Sequence, residues 1–278
     1  MDATDVAAAL LSAVLHAGWN AAVKSSRDPA RAMTAQMLLS AIIVLPGLLW
    51  TGLPPLAAWP WIAVSTLMSV ITVGALLRAY ELGGFGLVYP VARAIAVVLV
   101  VPLVALFAGG WPGPAALGGI AIIALSLALI AWETARDRGV PRRALAWIFA
   151  AGLGAAGYIL CDAQGVRAAG SPWAYGFVVS ITNAAAMWWR QRAGGAPWKQ
   201  LHGQWGLAVP VAVASVASYL LILWVWGHAP IAPAAALRDT SAVFAILIAV
   251  LWLKEPFTRT RIAAVLLAAS AIPLLRLS

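Results

Sequence analysis

The chain is poor in the residues that most catalytic and metal-binding sites need. Its 278 residues include a single cysteine, which excludes an internal disulfide and a Cys-x-x-Cys metal site. His16, His202 and His228 are the three histidines, and they are too scattered for a zinc site. No GxxxxGK[ST] stretch is present to hold ATP, and HExxH, GxSxG and paired Asp-rich motifs are also missing. We therefore predict no metal, no cofactor and no enzymatic activity.

Charge is also scarce, and this decides the class of protein. Charged residues make up 10% of the chain and hydrophobic residues 63%, with a mean hydropathy of +0.93. Soluble domains carry about 25% charged residues, so this composition predicts a membrane protein whose first partner is the lipid bilayer. The formal net charge of +9 comes from basic residues whose distribution along the chain fits a membrane protein. We therefore predict no nucleic-acid partner. The N-terminal stretch MDATDVAAALL is acidic, unlike a secretory signal.

Long apolar runs separated by short polar or Pro/Gly-rich breaks predict ten membrane spans. Each run has about 20 residues, the length that crosses a hydrocarbon core about 30 Å thick. The predicted fold is thus an all-α membrane protein without room for a soluble domain. The ten ranges are 5–24, 32–51, 59–80, 86–108, 114–132, 144–166, 172–190, 206–226, 230–252 and 260–277.

The basic residues predict the direction of the chain. Fourteen of the 18 Lys and Arg residues fall in or beside the odd-numbered connections between spans. Arg167 and Arg276 lie on the opposite side, and Arg93 and Arg238 fall inside spans. Cytoplasmic loops carry the excess of Lys and Arg, so we expect both termini on the periplasmic side of a bacterial inner membrane.

The two halves of the chain resemble each other weakly. ALFAGGWP at 105–112 and AVLWLKEP at 249–256 each end a span and precede another, 144 residues apart. At that offset Arg93 falls one position from Arg238. Because five spans is an odd number, a duplicated half lies upside down relative to the first, as in many secondary transporters. We therefore predict two inverted five-helix repeats, 1–138 and 139–278, around a central cavity.

Two arginines lie deep inside predicted spans. With a rise of 1.5 Å per residue, Arg238 is roughly 12 Å into span 9 if this span begins at Pro230, and Arg93 is about 10 Å into span 4. An arginine at the bilayer centre costs at least about 2.5–3.5 kcal/mol, so it normally faces a cavity or a partner. The alternative is a misplaced boundary with the side chain snorkelling outward. Pro90 and Pro233 precede the arginines and loosen the helix starts.

Span 1 has a polar and aromatic face. His16 and Asn20 are four residues apart and so share one side of a helix, with Trp19 beside them. One interpretation is interhelical hydrogen bonding alone. The other is a cavity wall on which His16 titrates near neutral pH.

Span 6 repeats this i, i+4 pattern with Tyr158 and Asp162, although an Asp about 6 Å from the span end also fits an interface. Asp162, Asp239 and His16 are the candidates for proton coupling, which stays open. The tyrosines near other span interiors are Tyr80, Tyr89 and Tyr219.

Four stretches of the sequence resemble the drug/metabolite transporter superfamily, in its ten-span branch with two EamA-type repeats. A Lys-Glu-Pro element after span 9 is similar to the family's Gly-Glu element, whereas the Gly-Gly-Trp-Pro counterpart after span 4 lacks the acid, so a role for Glu255 has no support from symmetry. The four stretches are LHAGWNAAVK (15–24), YPVARA (89–94), YILCDAQGVRAAGSP (158–172) and APIAPAAALRDTSAVFAILIAVLWLKEPF (229–257).

The resemblance implies an inner-membrane exporter of small metabolites, most of all aromatic or other apolar amino acids. Mapped onto these motifs and the residues above, the predicted substrate site comprises His16, Trp19, Asn20, Tyr80, Tyr89, Arg93, Tyr158, Asp162, Tyr219, Arg238 and Asp239. Two rival functions remain. A flippase for lipids or lipid-linked precursors needs a cavity open to the bilayer, and an intramembrane enzyme needs a catalytic pair, which only His16 with Asp162 or Asp239 supplies.

Overall fold

The computed structural model describes residues 1–83, 85–138, 141–252 and 257–277, and within them the chain is helical without strands. Ala- and Leu-rich runs favour helix, and in lipid only a helix or a closed barrel satisfies every backbone hydrogen bond. The α-helices of the described part are α1 Ala3–Lys24, α2 Pro29–Thr51, α3 Trp59–Gly83, α4 Phe85–Val104, α5 Pro114–Arg138, α6 Arg142–Ala169, α7 Pro172–Arg190, α8 Pro197–Leu201, α9 Trp205–His228, α10 Ile231–Asp239, α11 Ser241–Trp252 and α12 Arg259–Arg276.

Eight helical segments of the described chain are long and apolar enough to cross a membrane. They coincide with eight of the ten predicted spans. The other two predicted spans, 172–190 and 260–277, are the helices α7 and α12. The first carries Thr182 and Asn183 within its length, and the second has three arginines in 18 residues. All-helical membrane architecture is therefore confirmed, and the count of ten stays a prediction.

Local sequence signals place the helix ends. Asp2 caps α1 and exchanges side-chain hydrogen bonds with Asp5 in a capping box. The helices α2 and α7 each begin with a proline directly after a side-chain cap, Asp28 and Ser171 respectively. Gly170 ends α6 with a φ of +65°, a conformation that glycine adopts without strain.

The helices pack in four principal pairs, which are α3 on α6, α5 on α12, α2 on α7 and α1 on α9. The helices α3 and α6 approach each other closely. A Cβ built on Gly154 of α6 would lie 2.5 Å from Thr72 Oγ1 and 3.2 Å from the backbone oxygen of Met68. Small residues let membrane helices approach this closely. The helix α4 packs between α5 and α6 and also contacts α10.

The odd-numbered connections lie at one end of the bundle and the termini at the other. Arg31, after the first connection, donates hydrogen bonds to backbone oxygens of Lys199 and His202 in the seventh. At the opposite end the N-terminal amine of Met1 donates to the backbone oxygen of Arg276. The structure thus gathers the basic connections as the charge pattern requires, while the side that faces the cytoplasm stays a prediction.

The ninth predicted span differs from a single helix. It begins at Ile231 after Pro230, as expected, but α10 ends at Asp239 and α11 starts at Ser241. Thr240 separates them, and its hydroxyl donates to the backbone oxygen of Leu237 at 2.6 Å. A hydroxyl that competes for a helical carbonyl is a known cause of bending. The break lies directly after Arg238 and Asp239.

Candidate functional site

A cavity of about 930 Å³, counted out to its open mouth, lies in the centre of the bundle. It shares Asn20, Met33, Val73 and Leu76 with a wider vestibule whose wall includes Arg190. This vestibule reaches the end where the odd-numbered connections lie. The cavity is therefore open toward the predicted cytoplasmic side. Eight of the eleven predicted site residues line it, namely His16, Trp19, Asn20, Arg93, Tyr158, Asp162, Tyr219 and Arg238.

Arg93 connects α4 to three other helices at the cavity floor. Its guanidinium lies 3.1 Å from Asp239 Oδ1 and 2.8 Å from His16 Nε2, and it donates to the Tyr158 hydroxyl at 3.3 Å. The guanidinium carbon Cζ of Arg93 also lies 5.2 Å from the ring centroid of Tyr89, a cation–π distance. Only 7% of Arg93 is exposed. The side chain is held by partners inside the protein, which is contrary to the snorkelling alternative.

Arg238 is a buried cation with fewer hydrogen bonds than Arg93, although its guanidinium carbon lies 5.7 Å from the centroid of the Trp226 ring, a cation–π distance. It is 5% exposed, yet its Nε and one terminal nitrogen have no hydrogen-bond partner among the described residues. Its other terminal nitrogen lies 3.5 Å from His16 Nδ1. An arginine only donates, and a neutral histidine has one accepting nitrogen, which here is the Nε2 already bound by Arg93 at 2.8 Å. The guanidinium of Arg238 thus lines the cavity with N–H donors that have no acceptor among the described residues.

Asp162 is the acid of the described cavity wall, and hydroxyls surround it. Its carboxylate accepts hydrogen bonds from Ser65 Oγ at 2.5 Å, from Tyr175 at 3.1 Å and from Tyr219 at 2.9 Å. These donors belong to α3, α7 and α9, so the contact joins four helices. With 1% of the residue exposed, Asp162 is buried within the bundle, unlike an interfacial side chain.

The face of α1 is organised around His16. Asn20 donates to the backbone oxygen of His16 at 2.8 Å, and the ring of Trp19 meets the His16 ring edge-on with centroids 4.9 Å apart. The nitrogens of the His16 ring lie 2.8 Å from Arg93 and 3.5 Å from Arg238, and neither has a described hydrogen bond with Asp162 or Asp239. The catalytic pairing that an intramembrane enzyme needs is therefore not formed in the described chain.

Three predicted residues lie outside the described lining of the cavity. Asp239 is behind Arg93 as its ion-pair partner, and the Tyr89 hydroxyl lies 3.1 Å from Ser241 Oγ across the helix break. Tyr80 lines the vestibule instead. Tyr89 and Asp239 therefore support the site from one layer away. Glu255 lies outside the described residues.

Several polar residues of the site were not predicted from the sequence. Gln36 on α2 and Asn183 on α7 line the cavity, while Ser65 and Tyr175 hold Asp162 from behind. Uncharged polar residues are common in membrane helices as interhelical hydrogen-bond partners, so their type alone does not mark a site. Their spacing could have indicated a polar helix face, because Gln36 and Ser40 are four residues apart and lie on the same side of α2.

Comparison with known proteins gives a family match for the second half of the chain and a fold for the whole. No curated protein matches the sequence, whereas 28 chains of solved structures do by fold. One of them, described only as "Crystal structure of protein", is similar with a TM-score of 0.74 over 98% of this chain and 95% of its own. At 14% identity this likeness shows a shared fold. Residues 142–277 match the model of the EamA-like transporter family, so the second half of this chain of membrane-length helices is similar to an EamA-like domain.

Proposed function

We propose that the chain is a secondary transporter that exports small carboxylate-bearing metabolites, most of all amino acids with aromatic or other apolar side chains. The observation that carries the proposal is the guanidinium of Arg238 in the cavity wall, two of whose nitrogens have no hydrogen-bond partner among the described residues. A buried charge without a partner is costly, and a planar carboxylate is the group that a guanidinium fork binds best.

The other groups of the cavity fit the rest of an amino acid. Asp162 supplies a negative charge for an ammonium group, and the rings of Trp19, Tyr158 and Tyr219 supply apolar and cation–π surface. The carboxylate and the ammonium group of a zwitterionic amino acid would therefore each face a residue of opposite charge, Arg238 and Asp162 respectively. The match of residues 142–277 to a transporter family supports movement across the membrane as the outcome of this binding.

An inverted repeat is consistent with the way the helices pair. A two-fold axis that exchanges the halves turns the α3–α6 pair into the α9–α1 pair, and both pairs are in contact. The prolines that begin α2 and α7 are 143 residues apart, and at this offset Ser40 corresponds to Asn183. Both of these side chains line the cavity. In α1 and α6, Trp19 corresponds to Tyr158 at an offset of 139, and these also line it.

This pairing leads to a specific form of alternating access. We define the first bundle as α1, α9 and α10, and the second as α3, α4 and α6. The vestibule separates α1 from α3 at the open end, while α6 and α9 meet at the other, where Arg167 donates to the backbone oxygens of Trp226 and Ala229. Rocking of the bundles would close the first gap and open the second, with Pro90 and Pro233 easing the bend.

Counterflow of labelled L-tryptophan in proteoliposomes tests the proposal. We expect Arg238→Ala and Arg93→Ala to abolish exchange while the protein still inserts, and Arg238→Lys to retain a small part of it, because lysine keeps the charge but loses the fork. The matched control is Arg136→Ala, since Arg136 is exposed and its guanidinium lies over the Trp132 ring, outside the cavity lining. Wild-type exchange by Arg238→Ala would remove this residue from the site.

A further inference from the structure

Two carboxamides in the cavity have oxygens without a partner. Gln36 is buried, and its nitrogen donates to Ser40 Oγ at 2.9 Å, but its Oε1 accepts no hydrogen bond from the described residues. Asn183 Oδ1 is also buried and unpaired within the described chain. The two residues lie on α2 and α7, which pack together and form one wall of the cavity.

A buried amide oxygen that accepts no hydrogen bond destabilises the folded protein. A buried acceptor without a donor costs about 1–3 kcal/mol, and native proteins leave few of them. The cavity lining contains Met33, Met37 and Val73, whose side chains offer no hydrogen to donate, and also hydroxyl groups, none of which is a hydrogen-bond partner of either oxygen in the described chain. The missing donor therefore has to come from whatever fills the cavity.

Charge defines what kind of donor fits. Arg238 and Asp162 already provide a positive and a negative group of the cavity wall, on α10 and α6, in addition to Arg93, which is paired with Asp239. The wall formed by α2 and α7 adds neutral amides. A neutral N–H or O–H group satisfies an amide oxygen without bringing a second charge into the membrane interior.

We propose that Gln36 and Asn183 form a subsite that accepts a hydrogen bond from a neutral N–H or O–H group on the side chain of the substrate. This inference rests on the proposed function and narrows its substrate class. Among aromatic amino acids, those with an indole N–H or a phenol O–H are bound in preference to those with a bare ring.

The test uses two pairs of amino acids that differ in one donor. L-tyrosine is compared with L-phenylalanine, and L-tryptophan with 3-benzothienyl-L-alanine, in which sulfur replaces the indole N–H. Each competes with labelled L-tryptophan in counterflow by wild type and by Gln36→Met and Asn183→Leu, which keep the side-chain size but remove the amide. Gln204→Met is the control variant, because Gln204 precedes α9 and makes no side-chain cap.

In wild type we expect the donor-bearing member of each pair to compete about tenfold or more better, since a site built for a hydrogen bond rejects the analogue that lacks it. The ratio should fall toward one in Gln36→Met and Asn183→Leu and stay unchanged in Gln204→Met. Equal competition within both pairs by wild type, or ratios that the two variants leave unchanged, would overturn the subsite alone. Failure of wild type to exchange any of the four amino acids would reject the amino-acid substrate and this subsite with it.

Discussion

At the scale of single residues, Arg93 and Asp239 form the most deeply buried ion pair of the described chain. The two side chains form a 3.1 Å ion pair that is almost fully buried. Removing one partner of such a pair leaves an uncompensated charge and costs about 3–5 kcal/mol, whereas replacing both by apolar groups is often neutral. We therefore expect Arg93→Leu to lower the melting temperature of the purified protein strongly, and Arg93→Leu with Asp239→Leu to restore most of it.

Melting curves of wild type, both single variants and the double variant form a thermodynamic cycle that measures this coupling. Losses that simply add in the double variant would contradict a direct pair. Transport should stay absent even where stability returns, because Arg93 also donates to His16 and Tyr158 in the cavity wall. The double variant would thus regain thermal stability without regaining transport, which distinguishes the two roles of Arg93.

At the scale of helices, the glycines of α6 set its distance from α3. A Cβ at Gly154 would press on Thr72 and on the backbone oxygen of Met68, which has no freedom to move aside. We expect Gly154→Ala to destabilise the protein by about 1–3 kcal/mol, the usual cost of overpacking. Gly18→Ala is the matched control, because a Cβ at Gly18 has no atom within 4 Å and alanine favours helix. Melting temperatures of the two variants check the contrast, and equal values would argue against close packing of α3 on α6.

The helices were largely predictable from the sequence, whereas the details of the site were only partly so. Apolar runs and caps determine where a helix begins and ends, so Pro230 was correctly predicted as the start of the segment that carries Arg238. The break at Thr240 depends on one hydroxyl bond to Leu237, which hydropathy does not register. The helix α7 is polar where it borders the cavity, at Ser180 and Asn183. Charged residues stand out as site candidates in a sequence because placing them inside a membrane is costly, whereas neutral amides are common in membrane helices and do not stand out.

At the scale of the whole molecule, the described contacts distinguish an open end from a closed one. At the closed end a hydrogen bond of 2.7 Å between His228 Nε2 and Asp5 Oδ1 joins α1 to α9 within the first bundle. The contact of Arg167 with the backbone of Trp226 and Ala229 instead joins the two bundles. These contacts have different consequences for alternating access, because only the second kind has to break.

Disulfides placed at the two kinds of contact separate these roles. Val166 and Gly227 face each other between α6 and α9, with a Cβ built on Gly227 lying 3.2 Å from Val166 Cγ1. Ser12 and Ser218 face each other between α1 and α9, with hydroxyl oxygens 3.2 Å apart. Both positions therefore bring side-chain atoms of two helices into contact, which a cysteine pair requires. Cys161→Ser provides a background free of other thiols, because Cys161 is the single cysteine.

We expect oxidation of Val166→Cys with Gly227→Cys to stop L-tryptophan counterflow and reduction to restore it, because the disulfide holds the bundles together at the closed end. Oxidation of Ser12→Cys with Ser218→Cys should leave most of the exchange intact, since α1 and α9 move together. Gel shifts after thiol labelling would confirm that each disulfide has formed. Continued exchange with the α6–α9 disulfide in place would contradict rocking of these two bundles. Inhibition by both disulfides would mean that α1 and α9 also separate, and that the division between the bundles lies elsewhere.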